Sequence, residues 1–311
     1  MSTPAVTTPT ATSATAPTAT ALGNLRKTQK TRVSRRAGAR RRPLASLGIA
    51  VVSAIIVAVY VIPLSLVVLT SLKNETESKV MNFALPEVWR FDNYIQVLQT
   101  QGVGRGMING LIMTVGVTSI TVVVCALAAF VIARSPRRFT VGAYQYLLAG
   151  MIAPFSFIPA IKVLQLLGLY GTYTGLILVN VGIQIPFITL LYVGFIQRLP
   201  REIDEAAIID GASPLRLFFQ VILPLLKPTT MTCVVLLATY AWNEFQNVLF
   251  LMPDQKKWTM PMTVFNFQGM HSYNYALVSA NLVISVIPIL IVYLLAQKHI
   301  VGGMVAGAVK S

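Results

Sequence analysis

"EIDEAAIIDGASPLRLFFQVILPLLKP", residues 202–228, carries Glu202, Asp204, Glu205 and Asp210, four of the 10 Asp and Glu in a chain of 311 residues. The sequence on both sides of it is strongly apolar. A carboxylate at the centre of a bilayer costs roughly 2.5–3.5 kcal/mol. Four would cost on the order of 10 kcal/mol unless paired. If the flanks lie in a membrane, this stretch lies outside it.

Composition places the flanks there. The chain is 55% hydrophobic and 11% charged, with a mean hydropathy of +0.69. A soluble domain carries about 25% charged residues, so this is a membrane composition. Leu44–Leu72, Ile108–Ala133, Phe139–Ile161, Thr174–Ile196 and Tyr275–Ala296 contain no charged residue, and Thr229–Leu251 contains only Glu244. A helix crosses the hydrocarbon core with about 20 apolar residues. The pattern predicts an all-α integral membrane protein with six transmembrane helices. Barrel strands are excluded, because those are about 10 residues long and alternate in polarity.

Lys and Arg set the orientation. With the N-terminus inside, the inner segments hold the Arg26–Arg42 cluster, Arg134, Arg137, Arg138, Arg198, Arg201, Arg216, Lys227, Lys298 and Lys310. The outer segments hold Lys73, Lys79, Arg90, Arg105, Lys256 and Lys257, and Lys162 sits at the outer end of the third run. Positive residues favour the inner side, so both termini and the acidic stretch are expected in the cytoplasm. Residues 1–43 read as a tail. Its uncharged Ala/Thr/Pro/Ser part to about Leu25 is expected to be disordered, and Arg26–Arg42 anchors the first span. That span is twice the length of a signal-peptide apolar region, which excludes a cleaved signal. Residues 44–311 form the six-span domain, with a cytoplasmic loop at about 198–228.

The formal net charge of +15 could suggest a nucleic-acid partner. The basic residues bracket the spans instead. In the loop the acids outnumber Arg198, Arg201 and Arg216, the reverse of what phosphate needs. Cys125 and Cys233 lie inside spans and read as small buried residues, with no disulfide or metal site expected. His271 and His299 are isolated. No phosphate loop, nucleophile elbow, HExxH or paired catalytic carboxylates occur. No catalytic residue, no metal and no cofactor are therefore expected in this chain, and it should not be an enzyme.

The loop reads as two short helices. Pro200 suits a first helical turn, and Glu202, Asp204 and Glu205 complement its positive end. Gly211 provides a stop that tolerates left-handed backbone. Ser213 caps a second helix with Pro214 at its first position. Leu215, Phe218, Phe219 and Ile222 then fall on one face, and Pro224 and Pro228 end the helix. Ala206 and Ala207 leave the first helix thin enough for another surface to approach closely.

At this point the residues resemble a family. Glu205-Ala206-Ala207, then Gly211 after three residues, then Val221-Ile222-Leu223-Pro224 after nine more, is similar to the EAA loop of permease subunits in binding-protein-dependent ABC importers. Val221 stands where the family usually has Ile. "RLPREIDEAAIIDGAS", "AWNEFQNVLFL" and the C-terminal "LLAQKHIVGGMVAGAVKS" resemble the carbohydrate-uptake branch, specifically its maltose-type second permease, over roughly residues 44–311. The resemblance implies a type I importer permease fold and a prokaryotic plasma-membrane location. It implies pairing with a second permease, two cytoplasmic ATPase subunits that bind ATP and Mg, and an extracytoplasmic solute-binding protein. It assigns ATPase coupling to Glu205, Ala206, Ala207, Asp210, Gly211, Leu223 and Pro224. The segment from Lys73 to Arg105, with its "FALPEVWRFDNYIQVL" stretch, is where a binding protein would rest on an amphipathic helix. The small "GGMVAGAVKS" end reads as flexible and would reach the ATPase subunits.

Trp242, Asn243 and Glu244 are the candidate substrate path. Glu244 is the acidic residue within a span, which marks a functional site by default, or a carboxylate paired inside the protein. Trp242 could stack on a sugar ring or sit at the membrane interface. Another small solute, polyamine or phosphate, is the alternative cargo. An ion-coupled carrier is opposed by the absence of a visible inverted repeat.

Overall fold

The computed structural model describes residues 43–135, 137–267 and 274–308, with side chains at 48–295 and 297 within those ranges. The expectations for the tail before residue 43, for His271 and for the side chain of His299 fall outside the described residues. Among the described residues all regular structure is helical. In chain order the helices are α1 (Pro43–Ser71), α2 (Glu75–Ser78), α3 (Asp92–Gln99), α4 (Val103–Arg134), α5 (Arg138–Gly150), α6 (Phe157–Leu166) and α7 (Tyr173–Ile196). They continue with α8 (Glu202–Ile209), α9 (Pro214–Leu225), α10 (Lys227–Trp242), α11 (Gln246–Leu251) and α12 (Tyr275–Ala308). Gln255–Lys257 and Met260–Phe267 are 3₁₀ turns.

The chain divides into two units, Met1–Val61 and Ile62–Ser311, with the divide inside α1. The described part of the first unit is the apolar first stretch of that helix. The second unit is a bundle built on α4. The buried positions of α4, Gly106, Gly110, Met113, Val117, Thr121, Cys125 and Ala129, recur every three or four residues, so they share one face. Small residues let backbones approach in a membrane, where lipid is as apolar as leucine. A Cβ on Gly116 would come 2.7 Å from Ile177 Cδ1, and one on Gly110 3.2 Å from the Trp242 ring. Helix α7 packs most extensively against α4, followed by α10, and α12 covers α10 and α3.

Among the described residues four helices, α1, α4, α7 and α12, are long and apolar enough to span, and α9 with α10 forms a pair bent by 76°. Six unbroken spanning helices are not seen, because two of the expected runs are interrupted. The third run, Phe139–Ile161, is not one helix: α5 and α6, of 13 and 10 residues, rise about 1.5 Å per residue, too little for either to cross about 30 Å alone. Pro154 lies in the break at residues 151–156. It offers no N–H and disfavours helix at the residue before it. The fifth run breaks after Trp242 and resumes as α11. The end that reads as flexible is helical through Ala308.

In the Lys73–Arg105 segment only Asp92–Gln99 of the expected amphipathic stretch is helical, with Asn93 and Val97 buried. Lys73 is 2% exposed. Its ammonium donates to the Asn82 carbonyl and side-chain oxygen at 2.9 and 2.7 Å, and Asn93 Nδ2 donates to the carbonyls of Ser71 and Lys73. These bonds tie α3 to the end of α1.

Candidate functional site

Helix α8 starts at Glu202, so Pro200 stands ahead of it rather than in its first turn; Arg201 is the N-cap. Glu202, Asp204 and Glu205 do occupy that turn. The helix ends as the sequence requires. Gly211 has φ +81°, its N–H donates to Ile208 O at 2.9 Å, and Ala212 N–H donates to Ala207 O at 2.9 Å. This is the paired closure that satisfies the last helical carbonyls around a left-handed residue. Ser213 Oγ then accepts from Arg216 N–H, with Pro214 at the start of α9.

Helix α9 departs from the expected pattern. Over Leu217–Ile222 it widens to π-helical turns, and the Leu223 N–H donates five residues back to Phe218 O. Pro224 has no N–H and its ring disfavours the ordinary turn before it. The wider turn accommodates it, and the helix continues to Leu225 instead of ending at Pro224. The shift in register changes the packed face. Leu217, Phe218 and Ile222 are buried, while Leu215 and Phe219 are 67% and 51% exposed. The expected Leu215–Phe218–Phe219–Ile222 face is corrected accordingly. Phe218 packs on Phe130 of α4 with ring centres 5.4 Å apart, in a core with Cys125, Ala129, Tyr192 and Ile196.

The acids divide by environment. Glu202, Glu205 and Asp210 are exposed, as is Ala206, while Ala207 is half-buried against that core. Asp204 instead turns inward and pairs with Arg134, Nε to Oδ2 at 2.6 Å. Four acids read as one aqueous cluster are three exposed carboxylates and one structural ion pair. Ile208 and Ile209 are 59% and 85% exposed beside them. Leu223 is half-buried and Pro224 exposed, at a groove of about 410 Å³ that also touches Val122, Phe218 and Lys227. Exposed apolar side chains rimmed by polar residues are the pattern of an interaction surface.

The second candidate region is the break after α10. Trp242 is 2% exposed. Its ring lies on Gly110, and Nε1 donates to Ser285 O at 2.8 Å. Its faces are covered by this chain. Asn243 is exposed and donates to Thr239 O. Glu244 is half-buried, and its Oε1 accepts from the Asn247 N–H at 2.8 Å, closing the start of α11. The buried Asn180 of α7 receives both the Tyr240 hydroxyl at 3.0 Å and Asn247 Nδ2 at 2.9 Å. A broken helix within an apolar run needs such partners for its freed backbone and side-chain groups. Nearby, a largely apolar groove of about 990 Å³ runs between α5, α6 and α7, lined by residues including Tyr146, Pro154, Phe155 and Pro186.

Sequence reasoning missed Arg134, Asn180, Tyr240 and Asn247. Arg134 looked like one more inner positive charge at the end of an apolar run. Asn180, an amide within a largely apolar run, was the available signal for a buried polar centre. Among the described residues no group of His, Cys, Asp or Glu is arranged to hold a metal ion.

Comparison with known proteins agrees with this architecture. The family described as "Binding-protein-dependent transport system inner membrane component" matches residues 50–305. The chain is 36% identical over 256 residues to the multiple sugar-binding transport system permease protein MsmG of Streptococcus mutans, covering 80% of this chain and 91% of that protein. It is 30% identical over 265 residues to the melibiose/raffinose/stachyose import permease protein MelC of Bacillus subtilis, covering 84% and 96%. A solved structure of a bacterial ABC transporter involved in the import of the acidic polysaccharide alginate contains a chain of the same fold. Its TM-score is 0.74 at 22% identity, over 84% of this chain and 98% of that one. The chain belongs to the family of binding-protein-dependent transport system inner membrane components.

Proposed function

We propose that this family member is a membrane permease subunit of an ABC importer for a sugar or oligosaccharide, coupled through residues 202–228 to ATPase subunits carried on other chains. The observation that supports this most directly is the geometry of α8 and its exit. A short helix presents Glu205, Ala206, Ile208, Ile209 and Asp210 to solvent, closes on Gly211, and is bolted to the bundle from behind. Such a surface is built to be covered. The relatives named for sugar uptake support the cargo class.

In this reading both termini are cytoplasmic and the protein sits in a prokaryotic plasma membrane. A second permease completes the translocation path, and two ATPase subunits, holding ATP and Mg, seat the α8 surface. A solute-binding protein delivers cargo to the outer side near α3. The chain's own contribution is mechanical. Glu205, Ala206, Ala207, Asp210 and Gly211 form the contact, and Leu223 and Pro224 carry the movement toward α10. A neutral sugar needs no fixed charge along its route, which suits a chain whose spans carry few charged residues, Glu244 being the exception. Trp242 would support the path from behind rather than stack on sugar, because this chain already covers its ring. Asn243 and Glu244 remain the residues at the helix break that can face it.

Reconstitution tests the reading. Proteoliposomes containing this chain, the second permease and the ATPase, with the binding protein outside and ATP inside, should accumulate labelled oligosaccharide, and omission of any one component should abolish uptake. Uptake by this chain alone on an ion gradient would overturn the proposal.

A further inference from the structure

A largely buried ion pair lies at the Arg134 end of α4. Among the described residues two ion pairs form. Arg90–Asp92 has side chains 44% and 46% exposed, the kind that contributes little. Arg134–Asp204 has side chains only 12% and 13% exposed. The Arg134 guanidinium places Nε 2.6 Å from Asp204 Oδ2 and Nη2 3.3 Å from Oδ1. Its Nη1 and Nη2 also donate to the Leu199 carbonyl at 3.3 and 3.4 Å. One planar group therefore holds the chain just before α8 and a carboxylate in its first turn. Phe130, one turn earlier on α4, holds Phe218 of α9. Both helices of the docking element thus touch the last turns of α4, which packs along α7 and α10 through the bundle, and α9 also packs on Tyr192 and Ile196 of α7.

We infer that the Arg134–Asp204 pair is the link that makes α8 and α4 move as one body, so that displacement of the docking element becomes displacement of the spanning helix. The inference rests on the docking reading above. Apolar side chains can slide past one another, whereas a largely buried guanidinium that is ion-paired to Asp204 and hydrogen-bonded to both Asp204 and the Leu199 carbonyl fixes distance and orientation together. Lysine offers a single point charge and cannot hold both partners in that geometry. Arg134 and Asp204 are positioning residues: each acts through α8 and touches neither cargo nor nucleotide.

The test uses the assembled transporter with Arg134→Gln, Arg134→Lys, Asp204→Asn and the exchange Arg134→Asp with Asp204→Arg. Membrane abundance, co-purified ATPase, oligosaccharide uptake and stimulation of ATP hydrolysis by cargo-loaded binding protein are measured on each. With the link cut, ATPase should still co-purify to within about twofold, while uptake and stimulation fall about tenfold, inside the roughly 5–150-fold that coupling free energies span. Arg134→Lys should fall between, and the exchange should recover part of the loss. Recovery is partial because an Arg in the first turn of α8 opposes the helix dipole. Normal uptake and stimulation in Arg134→Gln would overturn the inference. So would uptake that falls only in step with abundance or co-purified ATPase, since the pair would then serve folding or docking. ATPase that fails to accompany even the unmodified chain would overturn the docking reading, and the link with it.

Discussion

Replacing Gly211 separates the cost of backbone strain from the cost of bulk on the proposed docking surface. Gly211 holds φ +81°, and a Cβ built there meets no atom within 4 Å. The chain itself therefore has room for a side chain, and the local penalty is conformational. An L-residue in left-handed backbone costs about 1–2 kcal/mol, a factor of about 5–30 in the population of the closed turn. Aspartate tolerates that conformation better than most residues but projects more atoms and a charge. If strain alone matters, Gly211→Ala should be the worse variant. If a partner seats on this surface, Gly211→Asp should be at least as damaging. We expect the second result. Both variants should keep normal membrane abundance and lose at most a few degrees of melting midpoint as isolated permease, because Leu217, Phe218 and Ile222 stay packed. Gly211→Asp should lose most co-purified ATPase and most uptake. Full co-purification and uptake with Gly211→Asp would refute the reasoning, as would a fall in abundance that accounts for the loss.

Three further outcomes test the fold. A Cβ on Gly175 would fall onto the Leu169 carbonyl oxygen, a backbone atom that cannot swing away. Gly175→Ala should lower the melting midpoint in detergent by an overpacking cost of about 1–3 kcal/mol, while Gly182→Ala, with nothing within 4 Å, should melt as the unmodified chain does. Asn180→Leu removes the acceptor for both Tyr240 and Asn247, at about 1–3 kcal/mol for each stranded buried donor. Adding Tyr240→Phe should recover part of that loss in the same melting assay, and no recovery would mean the network is not the cause. Reporters fused after Arg137 and Gly211 should read cytoplasmic, and those after Asn82 and Gln255 external; a reversal at either inner position would break the topology.

The helical membrane class was legible because hydropathy and charge position are additive along the chain. Gly211 was legible too, since the end of α8 is decided by a few adjacent residues. The breaks were not. Phe139–Ile161 counts as one apolar run by its letters, but backbone continuity fails around Pro154. Leu217–Ile222 was misplaced because Pro224 widens the turn before it, and a 3.6-residue period then assigns Phe219 and Leu215 to the wrong face. Asp204 resembled its acidic neighbours, and only Arg134, 70 positions earlier in the chain, distinguishes it. Trp242 illustrates the same limit. Its position beside Asn243 and Glu244 suggested exposure to cargo, while the Gly110 that receives its ring lies on α4 and is invisible from local sequence.

The central claim is that the α8 surface seats in a separate ATPase, and thiol labelling at Ala206 tests it directly. Cys125 and Cys233 are both 0% exposed, so a water-soluble maleimide should leave them untouched, and Ala206→Cys adds one small reactive group on the exposed face. The isolated permease should label rapidly at Cys-substituted position 206, labelling should slow sharply once ATPase subunits are assembled, and stripping them should restore the fast rate. Equal labelling rates with and without the ATPase, in a complex that still imports, would contradict the account.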